Sequence, residues 1–309
     1  MTSLLVVGSV ALDTLETPFG IAESVLGGSA VYFSLASRLF APVGLVSVVG
    51  EDFPREHRTL LEKQGIGLDG LVVKPGETFR WNGAYEGAMN QAETREVQLN
   101  VFGDFRPDVP AQYRDTEFVF LANSSPHTQT HVCRQFPEAE FILADTMNLW
   151  IETEREALLE LFGLIDGLIL NDEEARQLTE KHNLIAAGRW VLDQGPAFCI
   201  IKKAEHGAML IGRDDLFVLP GFPTMEVRDP TGAGDSFAGG FMGYAAHRQD
   251  FTYRVLRAAL AYGTIVASFT IEDFGTQRLC EIGAEDLQER YKNYLRMCHL
   301  PDAPGTQQF

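Results

Sequence analysis

Short apolar runs recur along the chain and stop abruptly at small or polar residues. Leu4–Val7 ends at Gly8 and Val43–Val49 ends at Gly50. Glu117–Ala122, Glu140–Ala144, Gly167–Leu170 and Phe198–Ile201 repeat the pattern. Runs of this length with β-branched members predict strands covered on both faces. Stretches with helical spacing lie between them: Ala30–Phe40, Arg55–Gln64, Glu152–Phe162, Glu173–Glu180 and Ile185–Leu192. Such alternation predicts an α/β fold of three layers, a mostly parallel sheet with helices on both faces. Ala233–Tyr294 reads as mainly helical, and the tail Pro301–Phe309 reads as disordered.

Two segments break the alternation. Asp13–Glu23 is extended and punctuated by Pro and Gly, and Glu77–Gly103 carries strand-like pieces, Thr78–Tyr85 and Arg95–Phe102, around a polar turn. Neither has a helix to shield both faces. Together they predict a small antiparallel sheet covering a site, spanning roughly residues 12–23 and 76–104.

At 309 residues the chain has room for one large α/β domain or two small ones. No internal repeat or low-complexity linker divides it, so one domain over residues 1–309 is expected. The net charge of −18 excludes long-range attraction to nucleic acid or anionic lipid, so neither is an expected partner. No apolar run approaches the roughly 20 residues of a membrane helix. Met1–Gly8 has no positive segment before its apolar run and reads as a first strand rather than a signal peptide. Cys133, Cys199, Cys280 and Cys298 are widely spaced and read as reduced thiols of a cytoplasmic protein. Asn123-Ser-Ser fits a glycosylation triplet that such a location leaves without meaning.

The densest chemical signal is Asp229-Pro-Thr-Gly-Ala-Gly-Asp-Ser-Phe-Ala-Gly-Gly-Phe241. Phe217–Arg228 reads as an extended run leading into it, and Phe237, Phe241, Tyr244 and Ala245 follow at helical spacing. Gly232, Ala233 and Gly234 therefore fall at a helix start, where the first N–H groups lack intrahelical partners and the macrodipole favours an anion. Small side chains let a phosphate approach those amides. Asp235 is then the nearest carboxylate and suits removal of a proton from an attacking hydroxyl. The competing reading is a packed helix start with a first-turn acid. Ala238, Gly239, Gly240 and Gly243 weigh against it, since each helical glycine costs about 1 kcal/mol against alanine and needs close packing or a ligand to offset it.

Other positions follow the same logic. Asp13 follows the first strand, where parallel sheets gather ligands, and could accept bonds from two neighbouring hydroxyls or simply sit in a turn. Gly27 and Gly28 open the next helix, where amides could meet substrate oxygens or Ser29 could act as the N-cap. Asn171-Asp-Glu-Glu174 reads as an N-cap with first-turn acids. Lys202 reads as a lysine solvated beyond the sheet. Trp81 and Tyr85 either stack on a sugar or base, or form lid core. The chain lacks Gly-x-x-x-x-Gly-Lys-Ser/Thr, Gly-x-Gly-x-x-Gly after the first strand, and any His-Glu-x-x-His or paired-Cys zinc motif.

Asp-Pro-Thr-Gly-Ala-Gly-Asp-Ser-Phe resembles the C-terminal signature of the ribokinase-like (PfkB) carbohydrate and nucleoside kinases, and the likeness extends over most of the chain. The resemblance implies a ribokinase-like fold, ATP as phosphoryl donor, Mg²⁺, and a β-lid that often serves as a homodimer surface. It implies an anion hole from Gly232, Ala233 and Gly234 with Asp235 as catalytic base. Asp13, Gly27, Gly28 and the position of Tyr32 would meet the acceptor. Asn171 and Glu174 would act on Mg²⁺ through water, while Lys202, Gly207 and Thr231 would lie on the nucleotide side. A helix and loop like Ala259–Ser268 and Gly275 lie beside adenine. Two departures stand out. Many members carry Asn where Tyr32 stands, and Ala204 replaces the first glycine of the nucleotide-site turn. The implied function is ATP-dependent phosphorylation of a hydroxymethyl group on a sugar or sugar-like molecule. The alternatives are a nucleoside kinase with the same machinery and a non-catalytic sugar-binding relative.

Overall fold

The computed structural model describes residues 3–299. The tail Pro301–Phe309, expected to be disordered, lies outside them. In chain order the first half contains β1 (Leu4–Val7), β2 (Ala11–Thr17), β3 (Gly20–Gly27), α1 (Ser29–Ser37), β4 (Val43–Gly50), α2 (Arg55–Lys63) and β5 (Gly67–Lys74). β6 (Phe79–Tyr85), β7 (Ala92–Gln98), β8 (Phe118–Leu121), α3 (Pro126–Cys133), β9 (Phe141–Asp145), α4 (Asn148–Thr153) and α5 (Arg155–Phe162) follow. Then come β10 (Gly167–Asn171), α6 (Asp172–Thr179), α7 (Leu184–Asp193), β11 (Phe198–Lys202), β12 (Ala208–Gly212) and β13 (Leu216–Leu219). Helices α8 (Ala233–Arg248), α9 (Tyr253–Thr270), α10 (Gln277–Glu281) and α11 (Ala284–Cys298) close the described chain.

Nine strands form the main sheet in the order β13-β12-β11-β10-β9-β8-β1-β4-β5. The pairs from β11 to β5 are parallel, while β12 and β13 run antiparallel at one edge. Leu4 and Val6 of β1 enter one core with α1, α8 and α9, whereas Leu5 and Val7 enter a second core with α3, α5, α6 and α7. The period of two along one strand thus builds the three layers, and the expectation of a three-layer α/β fold holds. β1 pairs with β4 on one side and with β8 on the other. The strand order reverses at β1, the kind of crevice where open α/β sheets take ligands.

A second sheet has the order β3-β2-β6-β7. It was expected to be antiparallel, yet its central pair, β2 and β6, is parallel. A connection through β4, α2 and β5 separates these strands, and only hairpin neighbours are forced to run antiparallel. Three further expectations are corrected. Arg95–Phe102 is not one strand: β7 ends at Gln98, and Asn100, at φ 48, starts a 3-10 turn. Glu152–Phe162 is two helices, broken at Glu154 (φ −133, ψ 33). Of the extended run Phe217–Arg228 only its first three residues, to Leu219, are strand, because Pro220 and Pro223 cannot donate to a ladder.

Helix α8 is wedged between α1 and α9, and its small residues make that possible. A Cβ on Gly239 would lie 2.4 Å from the Phe33 carbonyl oxygen of α1, and one on Gly240 3.0 Å from the Tyr262 carbonyl oxygen of α9. Close packing therefore accounts for the glycine stripe beyond the first turn.

Candidate active site

The Asp229–Asp235 loop is fixed by its own carboxylate. Asp229 is fully buried; one oxygen accepts the Thr231 amide at 2.9 Å and the other accepts the Gly275 amide at 2.8 Å. The loop is thereby tied to the turn after α9, and the chain enters α8 at a set angle. Gly232 is the N-cap in the left-handed region (φ 73, ψ 3), and a Cβ there would lie 2.3 Å from the Tyr32 ring. Both the dihedral and the contact require glycine.

The amides of this turn divide. Ala233 N–H donates to the Pro230 carbonyl at 3.1 Å and Ser236 N–H to the Gly232 carbonyl at 2.8 Å. The Gly232, Gly234 and Asp235 amides donate to no other residue's backbone carbonyl among the described residues, and the Asp235 amide faces its own carboxyl. The amides left open in the turn are thus displaced by one residue from the expected Gly232–Ala233–Gly234 set, because the Ala233 amide is engaged in the turn.

Lys202 lies beside these amides. It ends β11, and its Nζ sits 2.9 Å from the position of a Cβ on Gly234. The ammonium lies 3.5 Å from Asp145 Oδ2, with both side chains largely buried. Burial disfavours the charge, but Asp145, Glu174 and Asp235 outweigh it and hold the Lys202 pKa above its usual value. Lys202 is therefore not the solvated lysine of the competing reading. It is a buried cation beside the free amides.

Three carboxyls surround that single ammonium. Asp235 is pushed up to about 7 by burial and then by Asp145, with Lys202 opposing. Glu174 is pushed up to about 8 by burial, then by Asp145. Burial raises Asp145 as well, against the pull of Lys202. Asp145 was missed from sequence. It ends the strand predicted at Glu140–Ala144, and the strand-end rule that selects Asp13 would have selected it.

Asn171 and Glu174 form a reciprocal capping box: Glu174 N–H donates to Asn171 Oδ1 at 2.8 Å, and Asn171 N–H donates to Glu174 Oε2 at 2.6 Å. The capping reading is thus realised, with the Glu174 carboxyl still part of the acid cluster. No cluster of His, Cys, Asp and Glu forms an all-protein cation cage among the described residues. An excess of buried oxygen donors over cations fits a Mg²⁺ held mainly by phosphates and waters. Asp145 and Glu174 would face it.

Asp13 of β2 lies against Gly27, where a Cβ would fall 1.8 Å from Asp13 Oδ2. Its Oδ1 is buried without a partner. Burial, Asp229 and Asp235 push Asp13 up to about 8, with the Gly28 amide opposing. At neutral pH it is largely a neutral acid, able to donate one hydrogen bond and accept another. Gly28, not Ser29, is the N-cap of α1 (φ 98). The Ser29 hydroxyl instead contacts the Ser9 amide at 3.2 Å and the Ser9 hydroxyl at 3.0 Å, anchoring the turn after β1.

Tyr32 is 1% exposed, its ring lies on Gly232, and its hydroxyl has no partner. Burial and then Asp229, Asp13, Tyr85 and Asp235 raise its pKa, so it remains a donor. Tyr85 of β6 reaches from the small sheet to Thr231 Oγ1 at 3.3 Å. The Thr231 hydroxyl therefore meets that sheet. Trp81 turns away: its ring covers Gly83 and its Nε1 donates to Thr94 Oγ1 at 3.3 Å, as the lid-core reading has it. Gly207 (φ 83) follows a 3-10 turn in which Ala204 adopts φ 46, so alanine occupies a left-handed position that glycine suits better.

An unpartnered buried hydroxyl costs about 1–3 kcal/mol. Tyr32→Phe is therefore expected to raise the thermal midpoint of the free protein while raising the acceptor KM about tenfold. Differential scanning calorimetry and steady-state kinetics check the pair, and an unchanged KM would show that Tyr32 does not meet the acceptor.

A family model described as pfkB family carbohydrate kinase matches residues 19–282. The chain is similar to a cytidine kinase of Thermococcus kodakarensis, 28% identical over 256 residues that cover 80% of this chain and 90% of the relative. It is also similar to a nucleoside kinase of Methanothermobacter thermautotrophicus, 28% identical over 294 residues, 89% of this chain and 91% of the relative. Among solved structures, the nucleoside kinase of Methanocaldococcus jannaschii, an archaeal member of the ribokinase family, superposes with a TM-score of 0.76. That match is 20% identical and covers 94% of this chain and 98% of the other.

Proposed function

The chain belongs to the pfkB family of carbohydrate kinases, and on that premise we propose that it transfers the terminal phosphoryl group of ATP to the hydroxymethyl group of a nucleoside. One observation carries the reading: the Asp235 carboxyl lies in the first turn of a helix whose Gly232 and Gly234 amides are open and beside which the Lys202 ammonium is held. The two relatives named cytidine kinase and nucleoside kinase support a nucleoside over a free sugar.

In this reading Asp13 and the Tyr32 hydroxyl orient the acceptor so that its primary hydroxyl meets Asp235. Asp235 takes the hydroxyl proton as the oxygen attacks the terminal phosphorus and the bond from that phosphorus to the bridging oxygen breaks; ADP leaves with that oxygen, and Asp235 later returns the proton to solvent. The Gly232, Gly234 and Asp235 amides and the Lys202 ammonium stabilise charge on the transferring group. Mg²⁺, when bound, would neutralise phosphate charge, with Asp145 and Glu174 facing it and Asn171 orienting Glu174. Tyr85 on Thr231 links the small sheet to the catalytic turn, so that sheet serves as the lid that excludes water. A homodimer through the lid belongs to the same reading, supported by exposed Phe19, Ile21 and Val97 on its strands and turn.

The base must be ionised to act. As pH falls below about 7, kcat/KM is expected to drop tenfold per unit, an acid limb far above the ordinary carboxylate range. A profile flat down to pH 5 would contradict that assignment. The acceptor class is tested by ADP release, coupled to a spectrophotometric readout, over nucleosides, pentoses, hexoses and polyols with Mg-ATP. Turnover confined to nucleosides is expected, and turnover confined to free sugars or polyols would replace the nucleoside with the broader carbohydrate acceptor.

A further inference from the structure

A second charged concavity lies away from the catalytic turn. It has a volume of about 560 Å³ and sits between α3, α5 and the loop joining β7 to β8. Arg106 and Arg114 come from the loop, Arg134 from the C-terminal end of α3, and His127 and His131 line the helix side. The protein carries net charge −18, so a convergence of three arginines and two histidines runs against its overall composition.

Those arginines are not used in the fold's ion pairs. Among the described residues, ion pairs engage Arg58, Arg80, Arg95, Arg176, Arg228, Arg257, Arg278 and Arg290, and none includes Arg106, Arg114 or Arg134. Arg114 spends only its Nε–H, on the Val109 carbonyl at 3.1 Å, which fixes the guanidinium and leaves its terminal N–H groups available. The wall is braced by Gln135, which accepts the Val109 amide at 2.9 Å and donates to the Pro107 carbonyl at 3.0 Å. His131 Nε2 lies 3.0 Å from that same carbonyl. The loop carrying Arg106 and Arg114 is thus held against α3.

We propose that this groove is an anion site, separate from the catalytic cradle, that takes a phosphate-bearing small molecule. Guanidinium forks bind phosphate oxygens in pairs, and the volume lies within the range of small-molecule sites. Asp108 and Glu160 also line the groove. With the overall negative charge, these acids disfavour an extended polyanion such as nucleic acid and leave room for a compact one. Position gives the site a route to the lid. Thr128 donates to the Phe105 carbonyl at 2.7 Å, and the Phe105 ring stacks on Phe102 at 5.1 Å. Phe102 in turn stacks on Phe79 of β6 at 5.6 Å.

The test uses inorganic phosphate as probe and the thermal midpoint as readout, with sodium chloride matched for ionic strength. A site of millimolar affinity predicts a rise of about 3 °C in the full-length protein at 50 mM phosphate. The rise should persist in Lys202→Met, where the catalytic cradle is weakened. In that background it should disappear when Arg106→Gln and Arg134→Gln are added, with the midpoint in chloride staying near that of Lys202→Met alone. A rise unchanged by the added pair, or no rise in Lys202→Met, overturns the proposal.

Discussion

Replacing Asp235 with asparagine is expected to lower kcat by about 10²–10⁴ while leaving the acceptor KM within a few-fold. Asparagine keeps the shape and can still meet the acceptor hydroxyl, but it cannot take the proton. The variant should not be less stable. Asp235 is raised above its unfolded value, so its ionisation costs folding free energy as pH rises from the ordinary carboxylate range through about 7. Asp235→Asn removes that cost. Its thermal midpoint should match that of the unsubstituted protein near pH 4 and exceed it near pH 8. Calorimetry with turnover assays separates lost chemistry from lost fold, and near-normal turnover would remove Asp235 from the role of base.

Lys202→Met is expected to be the most damaging single change in both respects. Loss of one positive donor from the cradle should lower kcat by about 10²–10³. Asp145, Glu174 and Asp235 would then share a buried site with no cation, and breaking a buried pair in this way costs about 3–5 kcal/mol. The sign with pH is fixed. Lys202 lowers both Asp235 and Glu174, so without it their folded-state pKa values rise further, and the deficit opens as pH rises through about 7 to 8, where these groups ionise in the unsubstituted protein. It closes as pH falls below that window, where the carboxyls are neutral in both folded proteins. Denaturant melts at pH 5 and pH 8 would show it. An equal deficit at both values would mean that Lys202 does not balance these acids.

Most of the sheet was legible because its strands are buried on both faces and so read as apolar runs. β12 and β5 were not read. β12 lies just past a turn with no helix to frame it, and β5 mixes Asp69 and Gly70 into its run. The overextended reading of Phe217–Arg228 ignored Pro220 and Pro223. The signature around Asp235 was plain because Gly232 and Gly234 are demanded by local geometry, a left-handed dihedral and a close ammonium. Asp145 was hidden because nothing near it in sequence marks it; its meaning comes from Lys202, on a strand two places along the sheet. Tyr32 was visible as a departure from the family, but only the fold shows its ring closing over Gly232. The Ala233 amide was assigned to the cradle because sequence cannot show that Pro230 already accepts its proton.

A crystal of the protein with Mg²⁺, a non-hydrolysable ATP analogue and the nucleoside that supports turnover tests the central claim most directly. The account predicts the terminal phosphate against the Gly234 and Asp235 amides and the Lys202 ammonium. It also predicts an Asp235 oxygen about 2.6–3.2 Å from the acceptor hydroxymethyl oxygen. An Asp235 carboxylate out of reach of that oxygen, or a triphosphate bound away from the α8 N-terminus, would contradict it.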